Sequence, residues 1–257
     1  MQMNNMNIQQ LEREYRVHVY ETSPDENVNI CALFNYMQDI AAIHAIKLGY
    51  GRDELMKDNH FWVLSRMYAE IAEYPFRDEK IIIRTWPYGT DNVFALRLFE
   101  LRLPDGRIIA KASSSWLIVD ALSRRIQRPD ETLIRNNPLR EASELPVRIA
   151  GKITEAGPDG KLSSMFSVKP SDIDVNLHTN NVNYLRWTID SYDFDFIMKY
   201  VPTSVEINYL AESMPGEYIT IRTSGEEGEG TIFRHSILRY SGKELCRVRL
   251  EWKERKN

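Results

Sequence analysis

Only two cysteines, Cys31 and Cys246, occur among the 257 residues, and neither belongs to a C-x-x-C pair. That scarcity excludes a disulfide framework and gives no cysteine-based zinc site. A reduced, cytoplasmic protein with neither metal nor cofactor is therefore expected. Long apolar runs are also missing: nothing approaches the roughly 18–20 residues that cross a bilayer, so no membrane span is expected. The opening MQMNNMNIQQLEREY has neither the apolar core of a secretory signal nor the Arg/Ser richness of a transit peptide. Positive charge is not in excess either. The net charge is −4, which argues against a nucleic-acid partner.

What is present is ordinary in bulk and unusual in one place. Hydrophobic residues make up 43% and charged residues 27%, enough core for one large domain or two modest ones. The unusual stretch is DIDVNLHTNNVNYLRW, from Asp172 to Trp187. Asp174, Asn176 and His178 fall at every second position. In an extended segment they would line one face, ahead of a helix whose N-terminus favours developing negative charge. A carboxylate, a carboxamide and an imidazole in that order suit acyl transfer from an ester or thioester. Asp174 has a second reading as a turn or capping residue.

The chain also repeats itself. YRVHVYETSPDENVNICALFNYMQD, from Tyr15, resembles FSVKPSDIDVNLHTNNVNYLRWTID, from Phe166. EKIIIRTW matches EYITIRTS, and GRIIAKASSSW matches GKELCRVRLEW. Aligning Tyr36 with Tyr184, an offset of 148, sets Glu26, Val28 and Ile30 opposite Asp174, Asn176 and His178. On that alignment the polar trio survives in the second copy alone. Leu33, Met37, Ile40 and Ala41 form a helical stripe, as do Val182, Leu185, Ile189, Tyr192 and Phe196. Asn180 or Thr179 is a candidate N-cap. Strands are expected over 80–86, 93–103, 108–119, 218–223 and 231–240. The expected class is α+β, one long central helix per half wrapped by antiparallel sheet. Residues 138–161 read as a linker between a first half (1–137) and a second (162–257). Gly225 to Gly230 reads as a hairpin tip, because its glutamates would repel a phosphate.

On these residues the chain resembles the acyl-ACP thioesterases of plants and bacteria. HFWVLSRMYAEIAEYP, IIIRTW, SSSW, DIDVNLHTNNVNYLRW and EINYLAES carry the resemblance, from about Tyr15 to Trp252. It implies a double hotdog fold and hydrolysis of fatty acyl-acyl carrier protein to free fatty acid. It also implies a catalytic group at Asp174, Asn176, His178 and Glu212. Plant members carry a cysteine after that glutamate; Ser213 stands there in this chain, which leaves no thiol for a Cys–His scheme. The expected partner is an acyl carrier protein, with Arg124, Arg125 and Arg128 as docking candidates. The N-terminal half is expected to hold the acyl chain against Leu33, Phe34, Met37 and Ile40. Two alternatives stay open, an acyl-CoA thioesterase of the same fold and a non-catalytic lipid-binding hotdog protein. A homodimer is compatible with the sequence but not required, since the repeat already supplies both halves. His18, His44, His60 and His235 read as structural, and the two cysteines as small core residues.

Overall fold

The structure, a computed structural model, describes residues 9–129, 146–157, 160–225 and 231–255. The chain divides into two compact units. One comprises Met1–Ser65 and Ala72–Ile149, the other Arg66–Ile71 and Ala150–Asn257.

In the first unit, α1 (Ile30–Lys47) is opened by Asn29, whose side chain accepts the Ala32 N–H at 2.8 Å. Gly49, at φ 77°, follows it in the left-handed region where a residue without Cβ has no penalty. The expected stripe is buried: Leu33, Phe34, Met37 and Ile40 are each at most 2% exposed. Each such side chain stabilises the fold by roughly 1.5–3 kcal/mol. The helix packs on β3 (Lys80–Asp91) and β1 (Leu11–Arg16). Strand order is β1-β3-β4-β5, all antiparallel, with β4 spanning Phe94–Arg102 and β5 Ile108–Asp120. Strand β2 (His60–Ile71) precedes β3, a short α2 (Arg52–Lys57) precedes β2, and β6 (Ile126–Gln127) pairs with β5. Ile81 and Ile83, with Leu101 opposite Ile83 on the neighbouring strand, share one face and are fully buried, the period-2 pattern of a sheet face turned to the core.

The second unit follows the same plan with a shorter helix. Its strand order is the Arg66–Ile71 segment, then β8 (Tyr200–Tyr209), β11 (Glu244–Glu254), β10 (Thr231–Arg239), β9 (Tyr218–Gly225) and β7 (Lys161–Ser167), antiparallel throughout. The one long helix expected here is not present. α3 runs only from Asn181 to Ile189, and a turn separates it from α4 (Phe194–Lys199). Two side chains account for the stop: Thr188 Oγ1 donates to the Tyr184 carbonyl at 2.8 Å, and Ser191 Oγ to that of Thr188 at 2.7 Å. Such bonds compete with the helical ladder. Tyr192 therefore sits in the turn rather than on a continuous stripe.

Of the expected linker, residues 138–145 and 158–159 lie outside the described residues. Within the second unit, 150–156 form a strap over polar side chains of the sheet, with Ala150, Ile153 and Ala156 buried. Gly151 N–H donates to Glu206 Oε1 (2.7 Å), Ile153 N–H to Asn208 Oδ1 (2.8 Å), and Ala156 N–H to Ser236 Oγ (3.0 Å). These bonds satisfy a non-strand backbone that is out of water. Gly225 closes β9, while 226–230 of the expected hairpin tip lie outside the described residues. Among the described residues no helix is long and apolar enough to cross a membrane.

Candidate active site

Asp174 to His178 are not extended, contrary to the alternating face expected from the sequence. Ile173 and Thr179 form an isolated antiparallel bridge, and the residues between them make a tight turn. Asp174 N–H donates to the His178 carbonyl at 2.8 Å, and Leu177 N–H to the Asp174 carbonyl at 3.0 Å. Leu177 takes φ 63° to allow it. The Asp174 carboxylate closes the turn, Oδ1 accepting the N–H of Asn176 (2.8 Å) and of His178 (3.5 Å). Alternation loses because Asp and Asn side chains offer the backbone local partners that compete with a strand. Both readings of Asp174 thus meet: it is a turn residue, and through the turn it positions the His178 backbone.

The base of this loop is fixed by Asp172, which is 2% exposed. Its Oδ2 accepts the Lys169 N–H at 2.7 Å, its carbonyl accepts Asn180 N–H and Asn183 Nδ2 at 2.8 Å, and its carboxylate pairs with Arg186. Asn180 caps α3, Oδ1 receiving the Val182 N–H at 3.0 Å while its carbonyl receives that of Asn183 at 2.9 Å. The helix start that favours negative charge therefore does not offer the Val182 and Asn183 N–H groups to an oxyanion, because capping consumes them.

Glu212 arrives from the loop after β8. Thr179 N–H donates to the Ser213 carbonyl at 3.2 Å, a cross-loop bond that brings the preceding residues together. His178 Nε2 lies 3.3 Å from Glu212 Oε2, with the side chains 26% and 45% exposed, so the pair is open to a substrate. Arg239 steadies the loop, donating from Nη2 to the Glu212 carbonyl at 3.2 Å while pairing with Glu217 at 3.1 Å. The four expected residues therefore form two pairs, His178 with Glu212, and Asp174 with an exposed Asn176 whose Nδ2 is 3.5 Å from Oδ2. A carboxylate beside an imidazole is an acid/base unit, and Asn176 adds a neutral donor.

The two units compare loop for loop, and the register differs from the sequence alignment. The bridge Ile173–Thr179 corresponds to Thr22–Val28. The short helix Pro170–Asp172 corresponds to Val19–Glu21, and the cap Asn180 to Asn29. The bond from Asp174 N–H to the His178 carbonyl corresponds to one from Ser23 N–H to that of Asn27, also 2.8 Å. The offset is thus 151 (Thr179 against Val28), not 148. The counterparts of Asp174, Asn176 and His178 are Ser23, Asp25 and Asn27, all polar. Glu26, Val28 and Ile30 are therefore not the counterparts of the trio, and polar residues stand at its positions in both copies. Matching Thr179 N–H on the Ser213 carbonyl with Val28 N–H on that of Pro75 (2.8 Å) sets Glu212 opposite Tyr74. What the first copy lacks is the His–Glu pair, replaced by Asn27 and Tyr74.

No thiol serves this site. Cys246 is fully buried in β11, and burial pushes its thiol well above the ordinary range; Cys31 is half-buried in α1. Ser213 is fully buried with its hydroxyl donating to Thr179 Oγ1 at 2.8 Å, unlike an activated nucleophile. His235 lies between Tyr192 (2.8 Å) and Thr223 (2.9 Å), and burial lowers it to about 3. His44 lies 3.0 Å from Arg97, and His60 is 4.0 Å from Asp120. Sequence reasoning missed Tyr184, Thr179 and Ser213 as contributors; the only signal, for the last two, was a hydroxyl directly after each of His178 and Glu212.

Comparison with known proteins points to one family. The acyl-ACP thioesterase N-terminal domain model matches residues 9–136, and the corresponding C-terminal domain model matches 156–254. The chain is 25% identical to oleoyl-acyl carrier protein thioesterase 2, chloroplastic, of Arabidopsis thaliana, covering 94% of this chain and 76% of that one. It is 22% identical to dodecanoyl-[acyl-carrier-protein] hydrolase, chloroplastic, of Cinnamomum camphora, covering 94% and 67%. Among solved structures, an acyl-ACP thioesterase from Bacteroides thetaiotaomicron superposes with TM-score 0.86 at 22% identity, over 96% of this chain and 100% of that one. The 12:0-ACP thioesterase of Umbellularia californica gives 0.85 at 21%, over 96% and 94%. These likenesses establish the double hotdog fold.

Proposed function

The chain belongs to the acyl-ACP thioesterase family, and we propose that it releases free fatty acid from acyl carrier protein by hydrolysis at the His178–Glu212 pair. The observation that carries this reading is the 3.3 Å approach of Nε2 to Oε2, made by residues of two separate loops and absent from the sister copy. Water attacks the thioester carbonyl, and the pair accepts its proton, the Glu212 carboxylate balancing the charge that forms on the imidazole. The tetrahedral intermediate collapses with cleavage of the C–S bond, and the same proton returns to the leaving thiolate of the carrier. Asn176, exposed on the turn, donates from its carboxamide to the developing oxyanion. Asp174 acts one step removed, by holding the turn that presents Asn176 and His178. The first unit is assigned the acyl chain, through the apolar residues of α1.

The test is a hydrolysis assay with acyl carrier protein and coenzyme A thioesters of matched chain lengths. Turnover preferring the carrier, and lowered by about 10²–10⁴-fold in Glu212→Gln, is expected. Preference for coenzyme A thioesters replaces the carrier by the free cofactor thioester. Fatty-acid binding without turnover replaces the enzyme by a lipid-binding protein.

A further inference from the structure

Behind the His–Glu pair lie three buried hydroxyls. Tyr184, Thr179 and Ser213 are 2%, 5% and 0% exposed. Ser213 N–H donates to Tyr184 Oη at 3.0 Å, and Tyr184 Oη is 2.9 Å from Ser213 Oγ. Ser213 Oγ donates to Thr179 Oγ1 at 2.8 Å, and Thr179 Oγ1 to the Ser213 carbonyl at 3.1 Å. Each hydroxyl has one proton. With those of Ser213 and Thr179 used, the Tyr184 proton goes to Ser213 Oγ at 2.9 Å in preference to the Ala211 carbonyl at 3.5 Å, giving the order Tyr184 to Ser213 to Thr179 to backbone. Burial raises the Tyr184 phenol to about 12, which keeps it a neutral donor. Its ring is held edge-on by Trp187 and Tyr209.

Two of these residues adjoin the pair directly. Thr179 follows His178 and Ser213 follows Glu212, so locking one couple sets the spacing of the other. The sister unit provides an internal control. At the equivalent positions it has Leu33, Val28 and Pro75, with no hydroxyl, yet it keeps the backbone bond from Val28 N–H to the Pro75 carbonyl at 2.8 Å. The fold therefore does not need the hydroxyls to join these loops. They accompany the His–Glu pair and are absent where the pair is absent. We propose that Tyr184, Ser213 and Thr179 are positioning residues, a buried hydroxyl clamp that holds Glu212 in register with His178 for proton transfer. This inference rests on the hydrolytic role given to that pair.

The experiment is a double-mutant cycle on the full chain with its acyl carrier substrate. Thr179→Val and Tyr184→Phe keep side-chain shape and remove hydroxyls. Each should lower kcat by roughly 10- to 100-fold, the scale of a misplaced catalytic group, with KM changed less than about twofold. Thr179→Ser should recover most of the loss. In a Glu212→Gln background, which has no pair to align, the same changes should alter kcat by less than about twofold. Equal proportional losses in both backgrounds, or undiminished kcat in Thr179→Val, would overturn the clamp. If the unmodified protein hydrolyses no acyl thioester, the functional reading falls instead. The clamp is then judged by the crystal structure of Thr179→Val, where a His178–Glu212 distance widened from 3.3 Å supports it and an unchanged one refutes it.

Discussion

Leu177 and Glu26 stand at the same place in two copies of one turn, with φ of 63° and 62°. A left-handed backbone in a residue with a Cβ costs roughly 1 kcal/mol. Leu177 is also 72% exposed, so little packing offsets that cost. Leu177→Asn should therefore stabilise the protein by about 0.5–1 kcal/mol, since Asn tolerates this region. Urea unfolding measures it, and a destabilised variant would show that the leucine side chain has a role of its own.

Removing the charge of Glu212, as Gln, should cut kcat by about 10²–10⁴-fold, the usual weight of general acid–base catalysis by such a pair. Asp174→Ala should act on both kcat and the ordering of its loop, because it strips the acceptor of the Asn176 and His178 N–H groups. Turnover and hydrogen exchange of those two amides report the two effects separately. Near-normal activity in both variants would remove the assignment.

His235 gives a pH signature distinct from catalysis. It is 1% exposed between Tyr192 and Thr223, and burial lowers it from 6.5 to about 3. Below pH 6.5 the unfolded chain binds a proton that the native ring refuses. Stability is thus lost as pH falls from 6.5 towards 3, at a slope approaching 1.4 kcal/mol per pH unit, roughly. Urea midpoints at pH 7.5 and 5.5 check it. His235→Gln, which cannot titrate, should lose distinctly less over that interval.

Arg124 and Arg125 are exposed in the turn after β5, alongside Leu122 at 81% exposure. An acidic carrier would be drawn to such charges over about a Debye length, ~8 Å at physiological salt. Arg125→Glu should raise KM for the carrier substrate and weaken its salt dependence, with a short water-soluble thioester unaffected. A uniform change for both substrates would place docking elsewhere.

Leu33, Met37 and Ile40 already fill the core beneath α1, so larger residues there displace volume. If this unit receives the acyl chain, Met37→Phe or Ile40→Phe should shift the product profile towards shorter acids, at a stability cost of about 1–3 kcal/mol. An unchanged profile in both would take the acyl chain away from this helix.

Much of the architecture is legible without coordinates. The strand runs were readable because half-covered strands alternate, as Ile81 and Ile83 do, and the cap of α3 because Asn180 precedes an apolar stripe. The repeat was legible as a repeat but not in its register. Tyr36 and Tyr184 look alike in sequence, whereas hydrogen bonds pair Tyr184 with the position of Leu33. Identity of side chains misled because backbone bonding, not residue type, defines equivalence between copies whose side chains have diverged.

The sequence by itself determined the chemistry on hand: a histidine, two carboxylates and an amide, no available thiol, and a duplicated α+β fold to carry them. Only the tertiary structure decided their grouping. Local hydrogen bonds turned Asp174 inward on its own loop, and the Thr179–Ser213 contact across 34 residues brought Glu212 to His178. Spacing along a chain reports which groups can share a face within one element. Which loops meet is set by long-range packing and buried hydrogen bonds, and no local period encodes that.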